Sequence, residues 1–210
     1  MNRWPFMPGN AQRAVGICFE GDGLHWVEVH WPRRQLPVVT RQGVCARPAR
    51  HARREWLALW QQSGVQARRT GLALSEQSVV RIRVSLPSAM REREKWFLLE
   101  QTMQSQLPWP LAETAWDCQL SEPPAMGSEP TQPKDLWVEV VATPKAEVRN
   151  SRQWCVRAGL RLTRLEPLSQ ARERGERWQH VWPNAALSAH AAGHAASQVA
   201  LGLALGAVQS

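Results

Sequence analysis

Tyrosine is absent from this chain and lysine nearly so: of 26 cationic Lys and Arg residues only Lys95, Lys134 and Lys145 are lysine. The four cysteines, Cys18, Cys45, Cys118 and Cys155, form no CxxC pair. That spacing excludes a zinc ribbon and argues against a secreted disulfide scaffold. Each cysteine sits in an apolar segment, where a free thiol behaves as a small core residue of a reducing compartment. Metalloprotease, hydrolase and P-loop signatures (HExxH, GxSxG, GxxxxGK[ST]) are all missing. The opening "MNRWPFMPGN" has no apolar core and does not read as a signal peptide. His190 and His194, at i and i+4, have no nearby carboxylate or cysteine to complete a metal site, so no metal is expected. The one long apolar stretch, 185–208, consists mostly of alanine, whose transfer energy is too small to favour a bilayer. It reads as a buried helix.

Acid is also missing from one region. Residues 31–69 hold nine arginines and a single acid, Glu55, so this window alone accounts for the net charge of +8. Its densest part is Arg47, Arg50, Arg53 and Arg54. Such a patch suits nucleic acid, anionic lipid or an acidic partner, and the structural alternative is a solvated face. What the chain does have is ordinary for a folded domain: 43% hydrophobic and 21% charged residues, with 12 tryptophans.

Periodicity orders these residues into elements. Val15–Phe19 and Leu24–His30 read as strands around an "EGDG" hairpin, with Gly21 and Gly23 expected at positive φ. A third strand covers 36–44. Trp56, Leu59 and Trp60 fall on one helix face, closed by Gly64. Val80, Ile82 and Val84 alternate with Arg81, Arg83 and Ser85 as in a half-buried strand. A long helix runs from Pro87 and Ser88 to Gln106, and Pro108 and Pro110 stop it. Residues 121–134, with four prolines, read as a loop. Strand, helix, strand, helix and the closing Ala-rich helix complete the order βββα ββ α ββ α β α α, an α/β or α+β domain with an inserted subdomain.

Five segments in this order resemble one family. They are "AVGICFEGDGLHWVEV", "GLALSEQSVVRIRVSLP", "LLEQTMQSQLPWPLAETAWDCQL", "VEVVATPKAEVRNSRQWCVRAGLRLTRLEPLSQA" and "VALGLALG". Together they resemble the actin-like type IV pilus and competence proteins of the PilM/ComA/HofM kind. The resemblance implies a reduced actin-like fold. Subdomain 1A would be 12–76 plus 166–208, an inserted 1C would be 77–165, and the second nucleotide-binding domain would be absent. Nucleotide-binding relatives open on a G-I-D-I-G-S phosphate loop. Aligned to it, this chain has Gly16, Cys18 in place of the Asp, Glu20 in place of a loop Gly, and Gly21. A carboxylate facing a triphosphate repels it. The resemblance therefore implies no nucleotide, no cofactor and no enzymatic activity.

By the same resemblance the chain would be a cytoplasmic scaffold, peripheral at the inner-membrane face of a Gram-negative bacterium, serving pilus assembly or DNA uptake. It would grip the cytoplasmic tail of a PilN-like membrane protein in a groove between 1A and 1C. A PilO-like protein and the pilus motor ATPase would be further partners. The residues expected to carry the grip are Arg83, Leu107, Trp109 and Leu111. Trp109, rigid between two prolines, is an amphipathic anchor. The structural alternative is that it packs against its own long helix. Arg47, Arg50, Arg53 and Arg54 would face anionic lipid. A second reading, from a different class, is a basic DNA-binding accessory of competence that uses the arginine window on phosphates. Only Trp31, Trp56 and Trp60 interleave that window.

Overall fold

The computed structural model describes residues 12–32, 35–46, 53–121, 135–181 and 195–209. The chain divides into two compact units, one of residues 1–76 with 150–210 and one of residues 77–149.

Unit 1 is built on a five-stranded sheet. Strand β1 (Gln12–Glu20) turns through Gly21 and Asp22 into β2 (Gly23–Trp31), in register from Gln12 opposite Trp31 to Glu20 opposite Gly23. Gly21 takes φ 56°, the left-handed conformation that a two-residue hairpin turn demands. Gly23, contrary to expectation, begins the strand and has no positive φ among the described residues. Strand β3 (Val38–Ala46) pairs antiparallel with β2. After helix α1 (Arg53–Ser63), β4 (Arg69–Leu74) enters parallel to β1. The order is β3-β2-β1-β4-β8, where β8 (Arg161–Pro167) pairs parallel with β4.

Both faces of this sheet are covered. One side carries a line of aromatic rings: Phe19 meets Trp154 edge-on at 5.1 Å, Trp154 meets Trp56 at 4.8 Å, and Trp56, Trp60 and Trp26 follow. Trp154 lies on helix α3 (Lys145–Arg157), which Gly159 terminates at φ 73°. Much of the tryptophan in this tyrosine-free chain is thus core, where large rings bury much area. The other side is covered by helices α4 (Leu168–Val181) and α5 (Ala195–Gln209). Here the contact is backbone to backbone. A methyl group at Gly16 of β1 would overlap the carbonyl oxygen of Ala200, and one at Gly202 would overlap that of Ala171.

Unit 2 is a three-stranded antiparallel sheet in the order β5-β7-β6, from β5 (Val80–Leu86), β6 (Thr114–Ser121) and β7 (Leu136–Pro144). Helix α2 (Glu92–Gln106) supplies Leu99 and Met103 to a core shared with Ile82, Val84, Leu86, Val138 and Val140. Helix α2 starts later than Pro87: Pro87 to Met90 form a turn, and Glu94 reaches back to accept the Arg91 backbone N–H at 3.0 Å.

The return from unit 2 falls at 149/150, whereas the sequence places it at 165/166. The difference has a packing cause. Trp154, Cys155, Ala158 and Leu160 join the core with Val15, Ile17 and Leu72, and β8 completes the sheet of unit 1. Among the described residues no helix is long and apolar enough to cross a membrane. The helix expected over 185–208 is described from Ala195 onward, so His190 and His194 lie outside the described residues, as does the loop 122–134.

Candidate functional site

Two places hold the residues singled out by sequence. The first is the tip of the β1–β2 hairpin, where nucleotide-binding relatives would keep a phosphate loop. Gly16 is pressed against α5, so its missing side chain serves helix packing. Cys18 is buried in the core beneath α5. Burial, reinforced by the negative charge of Glu20 and opposed by Arg172, pushes its thiol up to about 12. Glu20 is exposed and lies 3.4 Å from Nε2 of His25. Gly21 supplies the turn. The strand ends here carry Glu20 and Asp22, and Glu76 follows β4, accepting the Ser169 backbone N–H at 2.7 Å. These carboxylates crowd the strand ends where an α/β sheet ordinarily offers N–H groups to phosphate.

A thiol raised to about 12 is neutral at any physiological pH, and the thiolate is the nucleophile. Cys155 is raised to about 12 by burial as well, whereas Cys118 is half-buried and raised less. Iodoacetamide at pH 8 is therefore expected to modify Cys118 well before Cys18 and Cys155 in the folded protein, with mass spectrometry as the readout. Equal labelling of all three would contradict this burial.

The second place is unit 2. Strand β5 is an edge strand, and Arg81 and Arg83 stand on the sheet face opposite α2. Across the sheet Glu139 of β7 faces Arg83 in register, lies 3.9 Å from both guanidinium groups, and accepts from Gln119 of β6 at 3.1 Å. Arg81 and Glu139 were not singled out by sequence. The alternation that exposes Arg83 exposes Arg81 equally, and the cross-strand acid depends on register.

The anchors expected after α2 separate in the structure. Leu107 and Leu111 pack against the unit's own core. Trp109 is outside that cluster and half-buried, and its buried indole N–H has no hydrogen-bond partner among the described residues. An unmade hydrogen bond at a buried donor carries a desolvation penalty.

The described arginines of the window do not form one patch. Arg47 and Arg50 lie outside the described residues, and of Arg53 only the backbone is described. Arg54 is exposed at the start of α1. That helix runs from the hairpin end, where Trp56 meets Trp154 and so Phe19, to the far end, where Arg41 donates to the Ser63 carbonyl. Arg68 and Arg69 follow there. Trp31, Trp56 and Trp60 are all buried. Among the described residues no three His, Cys, Asp or Glu side chains gather to hold a metal.

No protein-family profile matches the chain, and no curated protein matches its sequence. Solved structures do match. A chain of the PilM–PilN type IV pilus biogenesis complex aligns over 79% of this chain and 50% of its own, at 19% identity and a TM-score of 0.63. The cytoplasmic domain of EpsL, an inner-membrane component of the type II secretion system of Vibrio cholerae, aligns over 76% and 59%, at 12% identity and a TM-score of 0.51. The likeness is one of fold. The chain has the reduced actin-like α/β architecture that the resemblance implies, and it spans 50% and 59% of the lengths of these two chains.

Proposed function

We propose that the chain is a non-enzymatic scaffold of a pilus- or secretion-type inner-membrane assembly, and that it grips an extended tail of a PilN-like membrane protein. The observation that carries the reading is the fold shared with a chain of the PilM–PilN complex over 79% of this one. Unit 2 supplies a physical means. An edge strand offers main-chain hydrogen bonds to an extended peptide, and pockets beside it choose the side chains. The half-buried ring of Trp109 would offer the tail an apolar contact. Arg83 is exposed on this edge strand, so an acidic tail residue could reach its guanidinium. In this reading the protein stands in the cytoplasm at the inner-membrane face, for pilus assembly or DNA uptake. A PilO-like protein and the motor ATPase are further contacts.

The DNA-binding alternative has less support. Its described arginines are divided between the two ends of unit 1, and its three tryptophans are buried where no base can stack on them.

Titration of the full chain with the N-terminal tail peptide of the membrane protein encoded beside it tests the reading. Binding in the micromolar range is expected, and Trp109→Ala is expected to weaken it about 30-fold, the loss of a hot-spot anchor. Leu107→Ala would instead cost stability, by about 2 kcal/mol in denaturant unfolding, because Leu107 packs against the core of unit 2. Unchanged tail affinity in the Trp109 variant would remove this anchor from the account.

A further inference from the structure

We propose that the end of the unit 1 sheet at which β1, β4 and β8 begin is a contact surface for an anionic lipid bilayer. This stands apart from tail binding and uses none of its residues. The pairing registers align a row across that end: Val38 opposite His30, His30 opposite Arg13, Ala14 opposite Arg69, and Arg69 opposite Arg161. Arg68 adjoins the row, and its carbonyl accepts the Arg161 backbone N–H at 2.7 Å. From β2 to β8 the row spans three strand spacings, about 14 Å.

The charge of this row is uncompensated. Arg13 and Arg69 donate to the neutral amides of Gln66 and Gln12. Arg68 and Arg161 are exposed, and among the described residues none of these four arginines has a carboxylate partner. The segments that form this end (12–13, 30–32, 35–38, 64–69 and 159–161) contain no acid at all. Glu28, in β2 beside them, is fully buried and bound by the Gln66 and Ala67 backbone N–H groups and the Thr40 hydroxyl. The opposite end of the same sheet carries Glu20, Asp22 and Glu76, and Glu166 there is buried and paired with Arg164 and Arg174. A row of cations held at one end of a sheet is drawn to a plane of opposite charge.

Apolar side chains at the same end choose between polyanions. Leu36 and Val38 are each 47% exposed beside the row. The turn that presents them is fixed by the Gln35 backbone N–H on the Pro32 carbonyl and the Trp31 indole N–H on the Gln35 carbonyl. Exposed aliphatics among arginines suit an interface with headgroups above and acyl chains below. Duplex DNA would use the arginines and gain nothing from Leu36.

Co-sedimentation of the full chain with phosphatidylcholine vesicles, with and without phosphatidylglycerol, tests this. Binding is expected only with the anionic lipid, and it should weaken as salt is raised. The exposed pair Arg68→Gln/Arg161→Gln should lower the partition constant about 30-fold, since each basic residue at such a surface contributes about fivefold. The melting temperature should not move, because neither side chain makes a hydrogen bond among the described residues. Leu36→Ser should lower vesicle binding while leaving any DNA retention unchanged. Equal pelleting on both vesicles, or no loss in the arginine double variant, would overturn the proposal. So would duplex-DNA retention that survives higher salt than vesicle binding and ignores Leu36→Ser; that outcome would assign the surface to nucleic acid.

Discussion

Gly16→Ala is expected to destabilise unit 1 by about 3 kcal/mol or more, read as a fall in the denaturant midpoint. Glycine at this position looks like the remnant of a phosphate loop, and an alanine there would look harmless. The structure says otherwise. The added methyl would overlap the Ala200 carbonyl oxygen, come 2.5 Å from the Ala204 backbone nitrogen, and so meet atoms that cannot rotate away. Either α5 lifts from β1 or the strand bends. Both open the core of Ala14, Val27, Val29, Leu201 and Leu203. Gly202→Ala should act alike from the other side of the helix, because its methyl would strike the Ala171 carbonyl. An alanine at Gly21, by contrast, would meet no atom within 4 Å and would suffer only from φ 56°, at a cost of about 1 kcal/mol. The ordering of these variants is the test. A Gly16 variant no worse than the Gly21 variant would mean that α5 does not lie against β1 as described.

Glu28→Ala is expected to cost about 3–5 kcal/mol, for a different reason. Oε1 of Glu28 accepts the backbone N–H groups of Gln66 and Ala67, each at 2.7 Å. Oε2 accepts from the Thr40 hydroxyl at 2.8 Å and faces Arg41 at 3.8 Å. One carboxylate thus satisfies the loop that leads from α1 into β4 and ties it to β2 and β3. Truncation leaves buried donors with no acceptor. Glu28→Gln keeps an acceptor for the two backbone groups and should recover about half of the loss, measured by urea unfolding. If the alanine variant were as stable as the wild type, the carboxylate would not hold this loop.

These two residues also show what the sequence did and did not reveal. The hairpin, the alternating strand Val80–Val84 and the Trp56–Trp60 helix face were legible because each pattern is local. Glu28 was not, although a hint was present. An acid between Val27 and Val29 in "LHWVEVH" stands in a strand that is apolar on both sides, and such strands are covered on both faces. The packing role of Gly16 was hidden because the helix it meets lies almost 190 residues away in the chain. The second half of α3 could not be assigned to unit 1 from sequence, since the pattern of an amphipathic helix does not name the sheet it covers.

The candidate site was legible to a similar depth. Leu107, Trp109 and Leu111 have the same standing in "LPWPL", yet α2 draws the two leucines into its core and leaves the tryptophan with an unpaired donor. Arg83 was visible from alternation, while its acid, Glu139, came from a partner strand more than 50 residues later. The arginine window looked like one patch because nine arginines are close in sequence. Helix α1 carries the chain from one end of the sheet to the other, and this separates Arg54 from Arg68 and Arg69. Arg13 and Arg161, far from the window, take the place of neighbours in the basic row.

The central claim is that this fold grips a peptide and does not use a nucleotide. Parallel calorimetric titrations of the full chain test it most directly, one with the neighbouring membrane protein's N-terminal tail peptide and one with ATP and magnesium. The account predicts micromolar binding of the tail, weakened by Trp109→Ala, and no heat from the nucleotide. Saturable ATP binding together with a silent tail titration would contradict it.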